Sequence, residues 1–156
     1  GKAIGMAPKL SPVRIGAKHV MSLITINLVV GNGFTNATLA AAKVSVKVNN
    51  LKTKATANLA TGALTAIGDD TDIIPFKVAN KSYKAIVVPQ AVGEGNLITV
   101  NVDGRNFDLP KTTNFRGFEA GKKYSFNVTL SRDTSGVNVN ITKWEDDGND
   151  YGGTAE

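Results

Sequence analysis

The chain has 156 residues, no cysteine, 42% hydrophobic residues and a formal net charge of +5 at pH 7. This length fits one domain that buries roughly two thirds of the surface its unfolded form would expose, so a hydrophobic core must hold it together without disulfides. The longest apolar run, residues 21–30, is interrupted by Ser22, Thr25 and Asn27 and is shorter than the roughly 20 residues of a membrane-spanning helix.

The positive charge is spread over separate predicted strands. A basic chain with a pI near 9.5 invites a nucleic-acid interpretation. Its lysines, however, fall on the polar side of alternating patterns, as expected for solvent-facing surfaces and protected sheet edges. These lysines are Lys43, Lys47, Lys54, Lys84 and Lys123. We therefore expect no nucleic-acid partner.

The N-terminal part combines a connecting segment with a long strand. Residues 1–12 contain two prolines and two glycines and are predicted to be a lead-in or interdomain linker. A first strand is predicted to begin within residues 13–15. Residues 20–30 form a clear strand that is apolar on both faces, which predicts a central position or a covering neighbour.

The only histidine, His19, stands at the start of this strand. Without cysteine or a second histidine, a zinc site would need carboxylate or water ligands beside His19, which is an uncommon set. No Gly-x-Ser-x-Gly sequence is present, so a Ser-His-Asp triad is not expected either. We interpret His19 as a hydrogen-bonded residue at a strand end and predict no catalytic, cofactor-binding or metal site and no enzymatic activity.

Residues 38–67 alternate between turns and strands. Residues 38–42 are predicted to form one helical turn or a loop. A strand follows, and a turn at residues 60–62 leads to another strand at residues 63–67. The alternating apolar residues of the first of these strands are Val44, Val46, Val48, Ala55, Ala57 and Leu59.

An acidic segment follows at Gly68, Asp69, Asp70 and Asp72. Three carboxylates could hold calcium, but their spacing lacks the alternating ligand pattern of an EF-hand loop. We therefore predict a solvated acidic loop. Pro75 then places any strand at residues 73–78 at a sheet edge or a bulge.

The clearest local signal is the Asp103-Gly104 pair, which follows an apolar strand at residues 83–88. Asp-Gly between two alternating strands predicts a two-residue type I′ hairpin. The register then pairs Val100 with Phe107 and Ile98 with Leu109 on one face.

A second hairpin is predicted near the end of the chain, before a polar tail. Tyr124, Phe126, Val128 and Leu130 share one parity, and a polar turn separates this strand from another that leads to Trp144. Residues 145–156 are predicted to be a polar C-terminal tail. Its acids could bind a cation in principle, but we interpret them as solvated; they are Asp146, Asp147 and Asp150.

Together these elements predict an all-β fold. About nine strands at turn intervals typical of a sandwich predict an antiparallel β-sandwich of two sheets with little helix. The domain is predicted to span residues 13–144.

Several segments, in order, resemble the C-terminal domain of the fimbrillin-like proteins of Bacteroidales. The resemblance covers most of the chain, and each segment alone is a weak signal. The segments are His19-Val20-Met21-Ser22, Asn58-Leu59-Ala60-Thr61-Gly62, Ala85-Ile86-Val87-Val88-Pro89-Gln90, Asp103-Gly104, Phe118-Glu119-Ala120-Gly121-Lys122-Lys123-Tyr124 and Ile141-Thr142-Lys143-Trp144.

This resemblance implies a transthyretin-like sandwich in a structural or adhesive subunit of cell-surface fimbriae. The family implies an exported lipoprotein on the extracellular side of the outer membrane, with the lipid anchor and an N-terminal domain outside this chain. It also implies assembly with other pilus subunits by β-strand exchange, and a host or bacterial receptor or glycan as a further partner. Residues 145–156 have few alternating apolar side chains for a donor strand, which favours a tip, accessory or terminal subunit.

The sequence leaves three other functions to consider. A carbohydrate-binding sandwich would present exposed aromatic platforms, for which the sequence offers Tyr83, Phe118, Tyr151 and Trp144. An oligonucleotide-binding barrel would need basic and aromatic residues interleaved on one exposed face, whereas the aromatic residues of the predicted strands point inward. A hydrolase is the weakest alternative because the chain lacks a paired-carboxylate motif.

Overall fold

The computed structural model describes residues 18–111 and 115–131, together with the backbone of residues 136–143. Within these residues, eleven strands and one short helix are present. They are β1 (Ser22–Val30), α1 (Asn36–Ala41), β2 (Val44–Ala57), β3 (Leu64–Ile73), β4 (Phe76–Ala79), β5 (Ser82–Val87), β6 (Gln90–Ala91), β7 (Asn96–Val102), β8 (Arg105–Pro110), β9 (Gly117–Phe118), β10 (Lys122–Leu130) and β11 (Gly136–Lys143).

The strands form two main sheets and one small sheet. The larger sheet has five strands in the order β11-β10-β1-β5-β4, and the second has four in the order β3-β2-β7-β8. The strands β6 and β9 make a separate two-stranded sheet. The predicted all-β sandwich with little helix is confirmed. The predicted lead-in at residues 1–12 and the tail at residues 145–156 lie outside the described residues.

Strand β1 occupies the centre of the five-stranded sheet, as its apolar sequence predicts. It pairs with β5 in an antiparallel ladder and with β10 in a parallel ladder. The sheet is therefore not purely antiparallel, in contrast to the sequence-based expectation. A parallel pair needs a long crossover, and here the whole chain between β1 and β10 provides it.

The core lies between the two main sheets. Ile24 and Ile26 of β1 and Val48 and Val100 of the opposite sheet are completely buried in one hydrophobic cluster. Phe115 packs edge-to-face against three neighbouring rings, with centroid distances of 5.1 to 5.8 Å; these neighbours are Phe118, Tyr124 and Phe126. This aromatic group packs against the buried rings of β10, Tyr124 and Phe126.

Both predicted hairpins form, and the β7–β8 hairpin has the expected register. Val100 lies opposite Phe107 and Ile98 opposite Leu109. Asp103 and Gly104 both have positive φ angles, 50° and 88°, as a type I′ turn requires. The β10–β11 hairpin is also antiparallel, and the inward parity of β10 is confirmed by its completely or nearly completely buried side chains.

The acidic segment was wrongly predicted to be a loop. Asp69, Asp70 and Asp72 belong to β3, which pairs with the lysine-rich strand β2. Asp70 lies opposite Lys52, and the Asp72 carboxylate lies 3.4 Å from the Lys47 ammonium group. Pairing with the partner strand therefore overrides the low strand propensity of aspartate.

Two irregularities let the long β2–β3 ladder continue. Gly68, with φ of 87°, lies where β3 has one extra residue relative to β2. Asn50, with φ of 56°, lies where β2 has one extra residue relative to β3. Both are β-bulges, which bend the ladder and increase its twist.

The predicted helical turn and edge strand are both present. Helix α1 begins with a capping box, in which the Thr35 hydroxyl accepts from the Thr38 N–H and the Thr38 hydroxyl accepts from the Thr35 N–H. Strand β4 follows Pro75 directly and lies at the edge of the five-stranded sheet. The proline thus limits how far this edge can pair.

Candidate interaction surfaces

The polar residues singled out from the sequence are not brought together. His19 is exposed ahead of β1, and the three acids of β3 lie along the edge of the other sheet. Among the described residues, no group of three or more histidine, cysteine or acidic side chains is placed to hold a metal ion. In the same part of the chain, no helix has the length and apolarity needed to cross a membrane. Asp146, Asp147 and Asp150 lie outside it.

The aromatic residues expected to form an exposed platform are largely inside. Tyr83 is only 4% exposed and Phe118 only 3%. Tyr83 faces inward because it lies opposite the buried Ile26 of β1, and Phe118 packs against Phe115 and Tyr124. Their predicted exposure is therefore wrong. Trp144 and Tyr151 lie outside the described residues.

An apolar patch lies instead at β4, which is an edge strand of the five-stranded sheet among the described residues. We call it the β4–β5 patch. Its members are the exposed side chains of Ile74 (77%), Phe76 (76%), Val78 (49%) and Ile86 (60%). Sequence reasoning identified the edge through Pro75 but missed the patch, although alternating apolar residues after an edge-marking proline could have indicated it.

A lysine lies within the β4–β5 patch. Lys84 lies directly opposite Phe76 in the β4–β5 ladder and therefore on the same face of the sheet. Lys77 lies opposite the buried Tyr83 and therefore belongs to the other face. The surface thus combines apolar side chains with one positive charge.

Away from this edge, part of the outer face of the same sheet is polar. The Asn27 side-chain amide donates to the Asn127 side-chain oxygen at 3.2 Å, and the Ser82 hydroxyl donates to the Asn27 side-chain oxygen at 3.0 Å. This hydrogen-bonded row crosses three adjacent strands. Part of the outer face is therefore suited to water, which sets the β4–β5 patch apart.

A second unusual surface is formed by the part of the β2–β3 hairpin that extends past the other strands of its sheet. Strand β2 pairs with β7 only as far as Val48, and its later residues pair with β3 alone. We call residues 55–67 the β2–β3 arm. All its side chains are exposed or half-buried, and none is charged. Leu59, at its apex, is 96% exposed.

Specific hydrogen bonds order the base and the apex of the arm. At the base, the Lys52 N–H donates to the Gln90 side-chain oxygen at 2.8 Å, and the Gln90 amide donates to the Lys52 carbonyl at 2.9 Å. The Gln90 side chain thus supplies hydrogen bonds to the β2 backbone at a position that β7 no longer reaches. At the apex, the Asn58 side-chain oxygen accepts from the N–H groups of Ala60 and Thr61. The arm is a structured projection.

A known protein with a similar sequence is named as a fimbrium subunit. A fimbrium subunit of Bacteroides uniformis, Fim1C, is 30% identical over 121 residues, which cover 73% of this chain and 39% of that protein. This chain therefore spans well under half the length of that relative.

Solved structures with similar folds include cell adhesion proteins. One from Bacteroides uniformis is 25% identical with a TM-score of 0.70, and the match covers 82% of this chain and 52% of that protein. One from Bacteroides ovatus is 20% identical with a TM-score of 0.60, covering 82% and 46%. The tip fimbrial protein Mfa3 of Porphyromonas gingivalis shares the fold at 12% identity, with a TM-score of 0.57 and coverage of 81% and 52%.

The family comparison covers nearly the whole chain. A family model described as fimbrillin-like matches residues 3–144. This range includes every described strand, both main sheets and the complete core. The chain belongs to the fimbrillin-like family.

Proposed function

We propose that this chain is a structural and adhesive domain of a subunit of cell-surface fimbriae. The observation that carries the proposal is the match of residues 3–144 to the fimbrillin-like family. The likeness in fold to a cell adhesion protein, with a TM-score of 0.70, supports the same role. The complete protein would be exported to the extracellular side of the outer membrane, and a lipid anchor outside this chain would attach it there.

Assembly would occur by addition of a strand from another pilus subunit. A strand of about seven residues contributes ladder hydrogen bonds of roughly 1 kcal/mol each. About three buried side chains would add roughly 2 kcal/mol each. The gross stabilisation exceeds about 10 kcal/mol before ordering costs, which suits a long-lived joint between subunits. We place the chain in a tip, accessory or terminal subunit.

Immunogold electron microscopy of the source bacterium, with antibody raised against this domain, tests the proposal. Label is expected on filaments or at their ends, and a strain deleted for the gene serves as the control. Label confined to the cytoplasm would reject the surface role. Label along the whole filament would support a fimbrial subunit but reject the tip or terminal position.

A carbohydrate-binding sandwich has less support, because Tyr83 and Phe118 are buried. Phe76 is an exposed ring beside Lys84, which leaves a single aromatic contact for a sugar in this region. A glycan array with the native chain and Phe76→Ala separates the two functions. Specific micromolar binding that is lost in the variant would favour the carbohydrate function.

A further inference from the structure

The Gln90 side chain occupies a position that another strand would otherwise take. Beyond Val48, strand β2 pairs with β3 on one side and with none of the described strands on the other. On that open side, the Gln90 amide accepts from the Lys52 N–H at 2.8 Å and donates to the Lys52 carbonyl at 2.9 Å. A residue of an antiparallel strand exchanges the same two kinds of hydrogen bond with the residue opposite. The Gln90 amide thus stands in for a strand at Lys52.

The surroundings of Gln90 hold this amide in place. Its nitrogen also donates to the Val88 carbonyl at 3.1 Å, so the oxygen and both N–H donors of the amide have partners. The Gln90 backbone pairs with the buried Phe118 in the β6–β9 sheet. A paired backbone and a fully bonded amide keep the side chain at the edge of β2.

A second side-chain amide acts on β7 at the same point of the sheet. The β2–β7 ladder ends at the pair of Val48 and Ile98. Just beyond this pair, the Asn49 amide donates to the Asn96 carbonyl at 3.2 Å and to the Thr99 hydroxyl at 2.8 Å. Backbone groups of both strands are therefore bonded to side-chain amides where the strands separate. Unpaired backbone groups at a sheet edge are the groups to which an added strand binds.

The next residues of β2 have little protection of their own. We call residues 53–57 the open edge of β2. All of them are exposed, they include no proline and no acid, and Lys54 is their only charged residue. Sheet edges are commonly protected by charges, proline or bulges. The Gln90 amide lies at the start of this open edge, where it limits the room for an added strand.

A second copy of the chain is a suitable donor of such a strand. In a two-fold antiparallel pairing centred on Ala55, Lys54 of one copy lies opposite Thr56 of the other. Like charges are then not directly opposite each other, which would oppose pairing. A ladder that extends to Lys52 also needs the backbone groups that Gln90 already binds.

We propose that Gln90 caps the edge of β2 and keeps a second copy from adding a strand to the base of the β2–β3 arm. The cap is an autoinhibitory contact, because the chain's own side chain holds backbone groups that the other copy would use. It acts in every folded copy, whether or not the chain is a fimbrial subunit. Where strands are exchanged between subunits, the cap restricts strand addition to other sheet edges.

Sedimentation velocity of the native chain and two variants, from about 10 μM to 1 mM, tests the cap. Gln90→Ala removes both hydrogen bonds to Lys52 and should associate at least about tenfold more strongly than the native chain. Gln90→Glu keeps an acceptor of the same length and adds a charge at the edge, so it should associate no more than the native chain. Circular dichroism checks folding, and Gln90→Asn, whose amide is one methylene shorter, replaces an alanine variant that does not fold.

Amide hydrogen exchange followed by NMR shows where the copies meet. At low concentration, the Lys52 amide of Gln90→Ala should exchange at least about tenfold faster than in the native chain. Exchange within residues 52–57 should then slow as the concentration of this variant rises. Adding Ala55→Lys to Gln90→Ala places a charge on the open edge and should abolish association. Adding Val20→Lys, on another exposed residue, should leave association unchanged.

Each other outcome also decides the matter. A Gln90→Ala chain that stays as monomeric as the native chain would overturn the inference, and so would association without slower exchange within residues 52–57. Equal association of Gln90→Ala and Gln90→Glu would show that lost stability, rather than an opened edge, is the cause. These measurements use the purified chain, so failure of the cap leaves the immunogold test of the fimbrial role unaffected.

Discussion

At the scale of single residues, Tyr83 and Tyr124 place phenol groups inside the sandwich. Burial raises the pKa of the Tyr83 hydroxyl. Burial also raises the pKa of Tyr124, against the opposing effect of the Glu119 N–H, which donates to the Tyr124 hydroxyl at 2.8 Å. The folded chain therefore resists ionisation of both phenols more than the unfolded chain does.

This difference predicts a loss of stability at alkaline pH. Above the ordinary tyrosine pKa of about 10, the unfolded state releases protons that the folded state retains, so the free energy of unfolding falls as pH rises. Tyr83→Phe keeps the aromatic ring and removes one of the two buried hydroxyl groups. In urea unfolding at several values between about pH 8 and 11, the variant should lose less stability than the native chain. If both proteins lost the same free energy of unfolding, burial of the Tyr83 hydroxyl would not contribute to the pH dependence.

Gly117 illustrates a backbone requirement at one position. It has φ of 154° and lies opposite Ala91 in the small β6–β9 sheet. A Cβ atom there would collide with the carbonyl oxygen of Gln90 and lie 2.8 Å from the Ala91 Cα. Only glycine fits this close approach of two backbones.

We therefore expect Gly117→Ala to destabilise the chain by about 2 kcal/mol or more, from collision and backbone strain together. Gly93→Ala is the matched control, because nothing lies within 4 Å of its Cβ position. That control should change the free energy of unfolding by less than about 0.5 kcal/mol. Chemical denaturation of the three proteins measures the difference. Equal stability of both variants would contradict the close approach.

At the scale of elements, the β7–β8 turn does more than join two strands. Asp103 takes the left-handed conformation needed by the type I′ turn, and its carboxylate accepts from the Lys43 N–H at 2.8 Å. Its own N–H donates to the Lys43 carbonyl at 3.0 Å. The turn therefore also fixes the start of β2, which pairs with β7.

Two substitutions of Asp103 test how much its acceptor oxygen and its positive φ contribute to stability. Asp103→Ala loses the acceptor for the Lys43 N–H and the tolerance of positive φ, and should cost about 1 to 3 kcal/mol in free energy of unfolding. Asp103→Asn keeps an acceptor oxygen and the tolerance of positive φ, so it should stay within about 1 kcal/mol of the native chain. Thermal and urea unfolding measure both values. Equal losses for asparagine and alanine would show that the charge, rather than the acceptor oxygen or the conformation, matters.

At the scale of the whole molecule, one core joins both sheets. Ile26 is completely buried at the centre of the larger sheet, and it belongs to the same cluster as Val48 and Val100 of the other sheet. Ile86 on β5 points outward and is 60% exposed. These two isoleucines therefore allow a matched test of how much the core face and the outer face of the sheet contribute to stability.

We expect Ile26→Ala to cost about 2 to 5 kcal/mol in free energy of unfolding, because it leaves a cavity in the shared core. Ile86→Ala should cost less than about 1 kcal/mol. Denaturant unfolding should remain a single transition in both variants, since the two sheets share one core. Comparable losses for both substitutions, or separate transitions for the two sheets, would contradict a common core.

Local patterns were enough for much of the fold. Period-2 alternation placed Tyr124 and Phe126 inward, and the Asp103-Gly104 pair fixed both the turn and the register of its hairpin. Pro75 identified an edge strand. Each of these features depends on residues close together in the sequence, whose conformational preferences are already present before the sheets form.

The sequence by itself therefore determined the class of fold, the hairpins, the inward side of β10 and the resemblance that the family match confirmed. Only the tertiary structure decided the parallel pairing of β1 with β10, the strand conformation of Asp69–Asp72, the burial of Tyr83 and the exposure of Phe76. These features depend on partners far away in the sequence. A strand that is apolar on both faces, or a segment with weak propensity, takes its pairing and its orientation from neighbours that local patterns do not specify.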